Sequence, residues 1–205
     1  MCSARRAVDA EHDYHRVHPF LFPFHTMVGG GLDGGDTSFN GKAWVPMDDE
    51  RTLVLEWQYR PGRPWTGDER EQLARARNPW GSLPDDGAAG GAWRPAAHAG
   101  NDYRLDRRLE GRTLACGILS SPLQDAAMQE SMGPIVERSR EHLGPADAMI
   151  IRVRRRLLAA ARELAEQGRT PPGVDEPELY RVRPVGALLP RGADWQAATS
   201  ARRQA

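Results

Sequence analysis

The sequence predicts an α+β fold in which an antiparallel sheet packs against one long helix. Residues 42–46 and 52–59 are strand-like runs joined by the polar turn 48–51, a pattern that predicts a β-hairpin. Residues 147–167 carry apolar side chains at helical spacing and are followed by Gly168, a residue typical of helix C-termini. A helix with such a stripe needs an apolar partner, and the hairpin indicates a sheet that supplies one.

The predicted core lies where these two elements meet. On the second hairpin strand, the face expected to be buried consists of Leu53, Leu55, Trp57 and Tyr59. The stripe of the long helix consists of Ile150, Val153, Leu157, Leu158, Ala161 and Leu164. The charge run Arg152, Arg154, Arg155 and Arg156 is interpreted as a solvated face, with an interface as the alternative.

The other segments predict shorter elements. Residues 14–28 read as extended, confined by Pro19 and Pro23 to an edge or an irregular path. Residues 68–77 predict a charged helix capped by Thr66 or Asp68, with Leu73 as its main apolar contact. The glycine-rich residues 29–35 indicate a connection and not a phosphate loop, because no Gly-Lys-Ser/Thr follows. Residues 79–99 predict a loop, and residues 178–189 an extended tail.

Composition excludes several classes of protein. The 205 residues carry 28 Lys+Arg and 28 Asp+Glu, so no net field would recruit nucleic acid or an anionic membrane. Only Cys2 and Cys116 occur, which excludes a disulfide framework and a four-cysteine zinc site. No apolar run approaches the roughly 20 residues of a spanning helix, and no signal peptide is evident. We therefore expect a cytoplasmic protein.

Residues 124–147 hold the most informative stretch. Asp125 opens a run with Met128 and Met132 four residues apart, which predicts a short helix with an apolar stripe that ends at Gly133. Pro134 suits a first helical turn, so a second short helix is expected from there until Gly144.

This stretch, QDAAMQESMGPIVERSREHLG followed by DAMIIRVRRRLL, resembles the C-terminal catalytic domain of the oxygenase subunit of Rieske-type aromatic-ring hydroxylating oxygenases, in particular the phthalate 4,5-dioxygenase group. Similar patches are HPFLFPFHTMV, GKAWVPMDDERT, GNDYRLDR and PPGVDEPELYRVRPVGALLPRGADW. The resemblance divides the chain into a poorly matched segment 1–13, a partial catalytic domain 14–195 and a tail 196–205. It implies a helix-grip, START-like fold: an antiparallel sheet around the long C-terminal helix.

The resemblance also implies a metal ligand. In the family, a mononuclear non-haem Fe(II) is held by two histidines and one aspartate, and that aspartate stands five residues before the motif glutamate. Here these positions are Asp125 and Glu130. Such a triad leaves positions on the iron open for dioxygen and substrate. Taken alone, an aspartate near a helix start is more often a cap or a solvated charge.

Other ligands of the family are not found in this sequence. A Rieske [2Fe–2S] cluster requires Cys-x-His and Cys-x-x-His, which neither Cys2 nor Cys116 begins. The two histidine ligands of the family precede the matched region. The series His12, His15 and His18 alternates between strand faces, so we interpret it as strand histidines near an edge. His25, His98 and His142 have no ligand-spaced partner.

Two hypotheses follow. The first is the C-terminal catalytic portion of a Rieske non-haem iron oxygenase, truncated and inactive alone. Its complete form would oxygenate an aromatic compound, a phthalate-like acid or an aryl ether, with O2. The family implies a reductase as electron donor and a trimer-based homo-oligomer. The alternative is an iron-free helix-grip domain that binds a small aromatic molecule, with a lining drawn from Phe20, Phe22, Phe24, Trp44 and Trp57.

Overall fold

The computed structural model describes residues 1–29, 38–88 and 90–204 and divides into two compact units. The sheet unit comprises Met1–Pro46, Thr52–Pro64 and Glu141–Ala205. The loop unit comprises Met47–Arg51 and Trp65–Arg140. Apart from Gly29, the predicted glycine-rich connection lies outside the described residues.

A three-stranded antiparallel sheet holds the most buried residues of the sheet unit. Its strands are β1 (Cys2–Ala7), β2 (His12–His18) and β7 (Val185–Pro190), in the order β1-β2-β7. Val17, Val185 and Ala187 form its core cluster. The polar N-terminal residues thus form a strand that the sequence pattern did not predict, and the expected extended tail contains a core strand.

A second antiparallel sheet contains the predicted hairpin. Its strands are β3 (Phe20–Leu21), β4 (His25–Gly29), β5 (Phe39–Pro46) and β6 (Thr52–Tyr59), in sequence order. The prediction of the hairpin is confirmed: Pro46 pairs with Thr52, and the Asp48 carboxylate accepts hydrogen bonds from the Glu50 and Arg51 amides at 2.9 and 2.7 Å.

The predicted apolar face of β6 is only partly covered. Trp57 lies over Gly41 on the neighbouring strand, where a Cβ would stand 2.2 Å from the indole ring. Leu53, Trp57 and Tyr59 are half-buried, whereas Leu55 is exposed. Because β6 is the last strand of its sheet, its face has neighbours on one side alone.

The long helix α3 (Ala148–Gln167) is confirmed, and Gly168 ends it in the left-handed conformation with φ 66°. The stripe is only partly covered: Val153 and Leu157 are half-buried, whereas Ile150, Leu158 and Leu164 are exposed. In the run of arginines, Arg154 makes a two-pronged ion pair with Glu141 at 2.5 and 2.9 Å, and Arg156 lies over the Phe22 ring. The structure therefore confirms α+β with antiparallel sheets as the fold class.

Helices and loops make up the loop unit. Helix α1 (Gly67–Arg77) begins at Thr66, whose hydroxyl accepts from the Glu69 amide while the Glu69 carboxylate accepts from the Thr66 amide. Helix α2 (Ser121–Glu130) packs on a cluster of Ala97, Ile118 and Leu123. Two short helical segments precede it: the 3₁₀ helix Gly91–Trp93, and Ala99–Arg104, whose backbone is non-helical at Asn101, Asp102 and Tyr103.

The predicted second helix after Pro134 is wrong. Only one 3₁₀ turn forms there, Arg138–Arg140, because the Glu137 carboxylate accepts hydrogen bonds from the Ser139 amide and hydroxyl and stabilises a local turn. In the sheet unit, the remaining helical segments are Pro145–Asp147, Pro177–Tyr180, α4 (Trp195–Ala198) and Ala201–Arg203. No helix within the described part of the chain has the length and apolar character needed to cross a membrane.

Candidate functional site

Helix α2 carries the candidate ligand Asp125 and begins four residues before it, at Ser121. The Ser120 hydroxyl caps the helix by accepting from the Leu123 amide at 3.3 Å, and Pro122 occupies the first turn, where its missing N–H leaves no hydrogen bond unmade. The Gln124 side chain donates to the Ile118 carbonyl at 2.7 Å. This cap was present in the sequence as Ser120 before Pro122, but the predicted helix started too late to use it.

The two faces of α2 differ in burial. Leu123, which is 4% exposed, and Ala127 lie on the inner face against the cluster with Ala97 and Ile118. At 100° per residue, Asp125 stands about 200° from Leu123, on the outer face. Met128 stands about 140° from Leu123 and is 71% exposed, and Met132, in the turn after the helix, is 54% exposed. The two methionines of the predicted apolar stripe are therefore exposed, as is Asp125.

Glu130, the marker of the motif, is bound at the C-terminal end of α2. The Tyr103 hydroxyl donates a short hydrogen bond to its carboxylate. Burial of the phenol, the hydrogen bond to Glu130 and the charge of Glu130 together raise the pKa of Tyr103 to about 12. Sequence inspection did not single out Tyr103, although it stands within the matched patch GNDYRLDR.

The histidines of β2 are held by structural partners. His15 is buried and its Nδ1 lies 2.9 Å from the Ser3 hydroxyl, while His12 contacts the Asp9 carboxylate at 3.1 Å. Burial and the charge of Arg16 lower the pKa of His18. Their placement near a sheet edge was wrong, because β2 is the central strand of its sheet.

The other histidines are dispersed. The ring of His25 packs between Phe24 and Trp57, with centroids 4.8 and 5.8 Å away. His98 caps a 3₁₀ helix by accepting from the Gly100 amide at 3.1 Å, and His142 is exposed. These six side chains occupy separate environments and not a common site.

A metal centre needs several ligating side chains close together. Within residues 1–29, 38–88 and 90–204, no three His, Cys, Asp or Glu side chains come together to hold an ion. A mononuclear iron site of the facial-triad type requires two imidazoles beside its carboxylate. The described residues therefore do not fit a complete iron centre by themselves, and Asp125 is at most one part of one.

A small cleft lies in the sheet unit. It measures about 140 Å³ and is lined by Phe20, Phe22, Arg156 and Tyr180, among others. The Arg156 guanidinium lies 5.5 Å from the Phe22 ring centroid, and the Tyr180 hydroxyl donates to the Phe22 carbonyl at 2.5 Å. Two of the five aromatic residues predicted to line a pocket are therefore in this cleft.

The other three aromatic residues of that prediction pack elsewhere in the sheet unit. Phe24 and Trp57 contact the ring of His25 from either side. Trp44 donates its indole N–H to the Thr26 hydroxyl at 2.9 Å. These contacts are sheet packing and leave Phe20 and Phe22 as the aromatic walls of the cleft.

Comparisons with known proteins bear out the resemblance. The chain is 34% identical over 216 residues to the 3-chlorobenzoate-3,4-dioxygenase oxygenase subunit of Comamonas testosteroni, an alignment that covers 98% of this chain and 48% of that protein. It is 30% identical over 155 residues to the phthalate 4,5-dioxygenase oxygenase subunit of Pseudomonas putida, which covers 74% of this chain and 33% of that protein. The chain thus spans half or less of the length of these relatives.

A family model described as LigXa C-terminal domain like matches residues 3–205. The matched residues include nearly all of strand β1, which lies before HPFLFPFHTMV, the first of the similar patches in the sequence. Because the match covers almost every residue, the chain belongs to the LigXa C-terminal domain-like family.

Proposed function

We propose that this chain is the C-terminal catalytic part of the oxygenase subunit of a Rieske-type aromatic-ring oxygenase, and that Asp125 is its iron-ligating carboxylate. The observation that carries the proposal is the outer face of a well-anchored α2, where Asp125 and Met128 are exposed, with the exposed Met132 just beyond the end of the helix. Exposed apolar side chains around a carboxylate indicate a surface that another part of the working protein covers.

The other ligands come from polypeptide outside this sequence. The described residues hold no triad, so we propose that the two imidazoles and the Rieske [2Fe–2S] cluster belong to the part of the relatives that this chain does not span. Asp125 then supplies one hard, anionic oxygen ligand to a mononuclear Fe(II). On its own, one carboxylate binds such an ion weakly, and we expect the isolated chain to be inactive.

The substrate class follows from the relatives. Their names specify 3-chlorobenzoate and phthalate, both aromatic carboxylic acids. We propose that the complete enzyme oxygenates an aromatic acid with O2, takes electrons from a reductase and works as a trimer-based homo-oligomer. The isolated chain, without the cluster-bearing part, would assemble weakly; light scattering that shows a stable trimer would contradict this proposal.

A chimera tests the role of Asp125. This chain would replace the matching part of the Comamonas oxygenase subunit, and iron content and circular dichroism would be measured on the same samples. The chimera should hold about one mononuclear iron per chain in addition to its cluster. Asp125→Ala should remove the mononuclear iron, whereas Gln129→Ala, on the same outer face, should retain it.

The outcomes are distinct. Stoichiometric mononuclear iron in a folded Asp125→Ala chimera would show that another residue is the ligand. Tight Fe(II) binding by the isolated chain would show that the site is built from other side chains, with His12, His15 and His18 the first to replace.

A second candidate function is binding of an aromatic acid by the sheet unit. The cleft beside Arg156 favours it, because a guanidinium at an aromatic wall suits a carboxylate carried on a ring. Benzoate added to the chain should shift amide resonances of Phe20 and Phe22. Arg156→Leu should weaken binding by at least about tenfold and Arg155→Leu should not, because loss of a charged hydrogen bond costs on the order of 1.5–3 kcal/mol. Equal affinities of the two variants would exclude this function.

A further inference from the structure

Three consecutive residues before α2 adopt left-handed backbone conformations. The φ angles of Asp102, Tyr103 and Arg104 are 50°, 52° and 51°. In this region the Cβ of an L-residue approaches the following carbonyl oxygen, so single occurrences are uncommon and a run of three non-glycine residues is costly. Such a conformation persists where surrounding contacts enforce it, and it is concentrated at functional sites.

A hydrogen-bonded frame enforces this conformation. The Asn101 side chain accepts from the His98 amide at 3.0 Å and donates to the Ala96 carbonyl at 2.9 Å. The Tyr103 amide in turn donates to the His98 carbonyl at 3.0 Å. The frame turns the Tyr103 ring onto the cluster of Ala97, Ile118 and Leu123.

The Tyr103 hydroxyl then reaches the last residue of α2. Its hydrogen bond to the Glu130 carboxylate fixes the C-terminal end of the helix, while the Ser120 cap and Leu123 fix the N-terminal end. A ten-residue helix is marginal in water without such contacts. Asp125 lies between the two anchored ends, on the face that neither anchor covers.

We propose that Tyr103 is a positioning residue for Asp125: by holding Glu130, it sets the orientation in which α2 presents its outer face. The inference rests on the proposed function in one respect, the role of Asp125 as a ligand. It also gives Glu130 a role in the motif. Its side chain makes the contact that fixes the helix and does not lie on the outer face of α2 with Asp125.

Hydrogen exchange of the α2 amides tests the anchor in this chain without metal. Tyr103→Phe removes only the hydroxyl, and Glu130→Ala removes the acceptor. Both should speed exchange of the amides at 127–131 by about tenfold, since a hydrogen bond to a charged group is lost. Glu130→Gln keeps an acceptor and should preserve most of the protection. Tyr59→Phe removes a hydroxyl in the sheet unit and should change nothing in α2.

Two further readouts separate a specific contact from general loosening. The double variant Tyr103→Phe/Glu130→Ala should exchange no faster than either single variant, because both remove one shared interaction. The tyrosinate absorbance of Glu130→Gln should show the pKa of Tyr103 falling from about 12 towards the ordinary tyrosine value of 10.0, since the hydrogen bond and charge of Glu130 help to raise it.

The results also separate this inference from the proposed function. Unchanged exchange in Tyr103→Phe, or additive effects in the double variant, would overturn the inference whatever Asp125 does. Iron retained by the Asp125→Ala chimera, together with the exchange changes expected here, would remove the ligand role and leave Tyr103 as the anchor of α2. Loss of iron in Asp125→Ala with the expected exchange changes supports both.

Discussion

Replacement of Leu123 by alanine should destabilise the loop unit strongly. Leu123 is 4% exposed and is the buried residue of α2. The substitution removes about three methylene equivalents at ~0.8 kcal/mol each, or about 2.4 kcal/mol of transfer free energy. A partly collapsed cavity adds to this, so we expect the free energy of unfolding to fall by about 3 kcal/mol. The unfolding equilibrium constant should then rise by about two orders of magnitude.

Urea unfolding, monitored through hydrogen exchange of amides in the loop unit, measures this change in the free energy of unfolding. The midpoint should fall while the slope with urea stays the same, since the surface exposed on unfolding hardly changes. Met128→Ala is the matched control, because Met128 is 71% exposed on the same helix and its loss should cost less than about 0.5 kcal/mol. Equal destabilisation by the two substitutions would refute the assignment of inner and outer faces.

Three other predictions follow from the geometry. Gly117→Ala would place a Cβ 2.3 Å from the Asp106 carbonyl oxygen and should cost about 1–3 kcal/mol in urea unfolding, whereas Gly62→Ala meets no atom within 4 Å and should be near neutral. Thr66→Ala removes the cap of α1 and should cost about 1 kcal/mol, seen as faster amide exchange in its first turn; unchanged exchange would refute the cap. Hydrogen bonds from Arg108 lower the pKa of Asp106 to about 2. The stability that this pair contributes is therefore present above pH 3.8 and is lost as the pH falls towards 2. In the Arg108→Leu variant, an NMR titration should find the Asp106 pKa raised towards 3.8.

Elements set by local chemistry were predicted from the sequence. The hairpin follows from alternation in residues 52–59 and from Asp48, whose carboxylate binds its own turn. The long helix follows from periodicity and from Gly168, which can adopt a positive φ at low cost. Thr66 as the start of α1 follows from its spacing to Glu69.

Elements set by distant partners were not predicted. The polar strand β1 has no alternating apolar pattern and forms because β2 offers it hydrogen bonds. β7 pairs with β2 from more than 160 residues away, and no local signal identifies that pairing. The length of α3 was predictable, but its packing was not, since periodicity indicates that a stripe exists and not which surface covers it.

The candidate site also has features that the sequence predicts and features that it does not. Asp125 was identified from the motif, and its outward direction follows from the helical spacing to Leu123 once that residue is known to be buried. The sequence pattern alone did not identify the buried face of the helix, because Met128 and Met132 are as apolar as the inner residues. Tyr103 was missed because its role depends on three left-handed residues and a contact 27 positions away.

The inner and outer faces of α2 have different roles, so substitutions on them should change different properties of the protein. Leu123 and Glu130 contribute contacts that hold the helix, so their replacement changes stability and, through the helix, the position of Asp125. Asp125 and Met128 lie exposed on the outer face, so their replacement should change the fold of this chain far less than replacement of Leu123. A variant set that follows this division supports a functional outer face, whereas an Asp125→Ala chain that unfolds more readily than the Leu123→Ala chain would make Asp125 a structural residue.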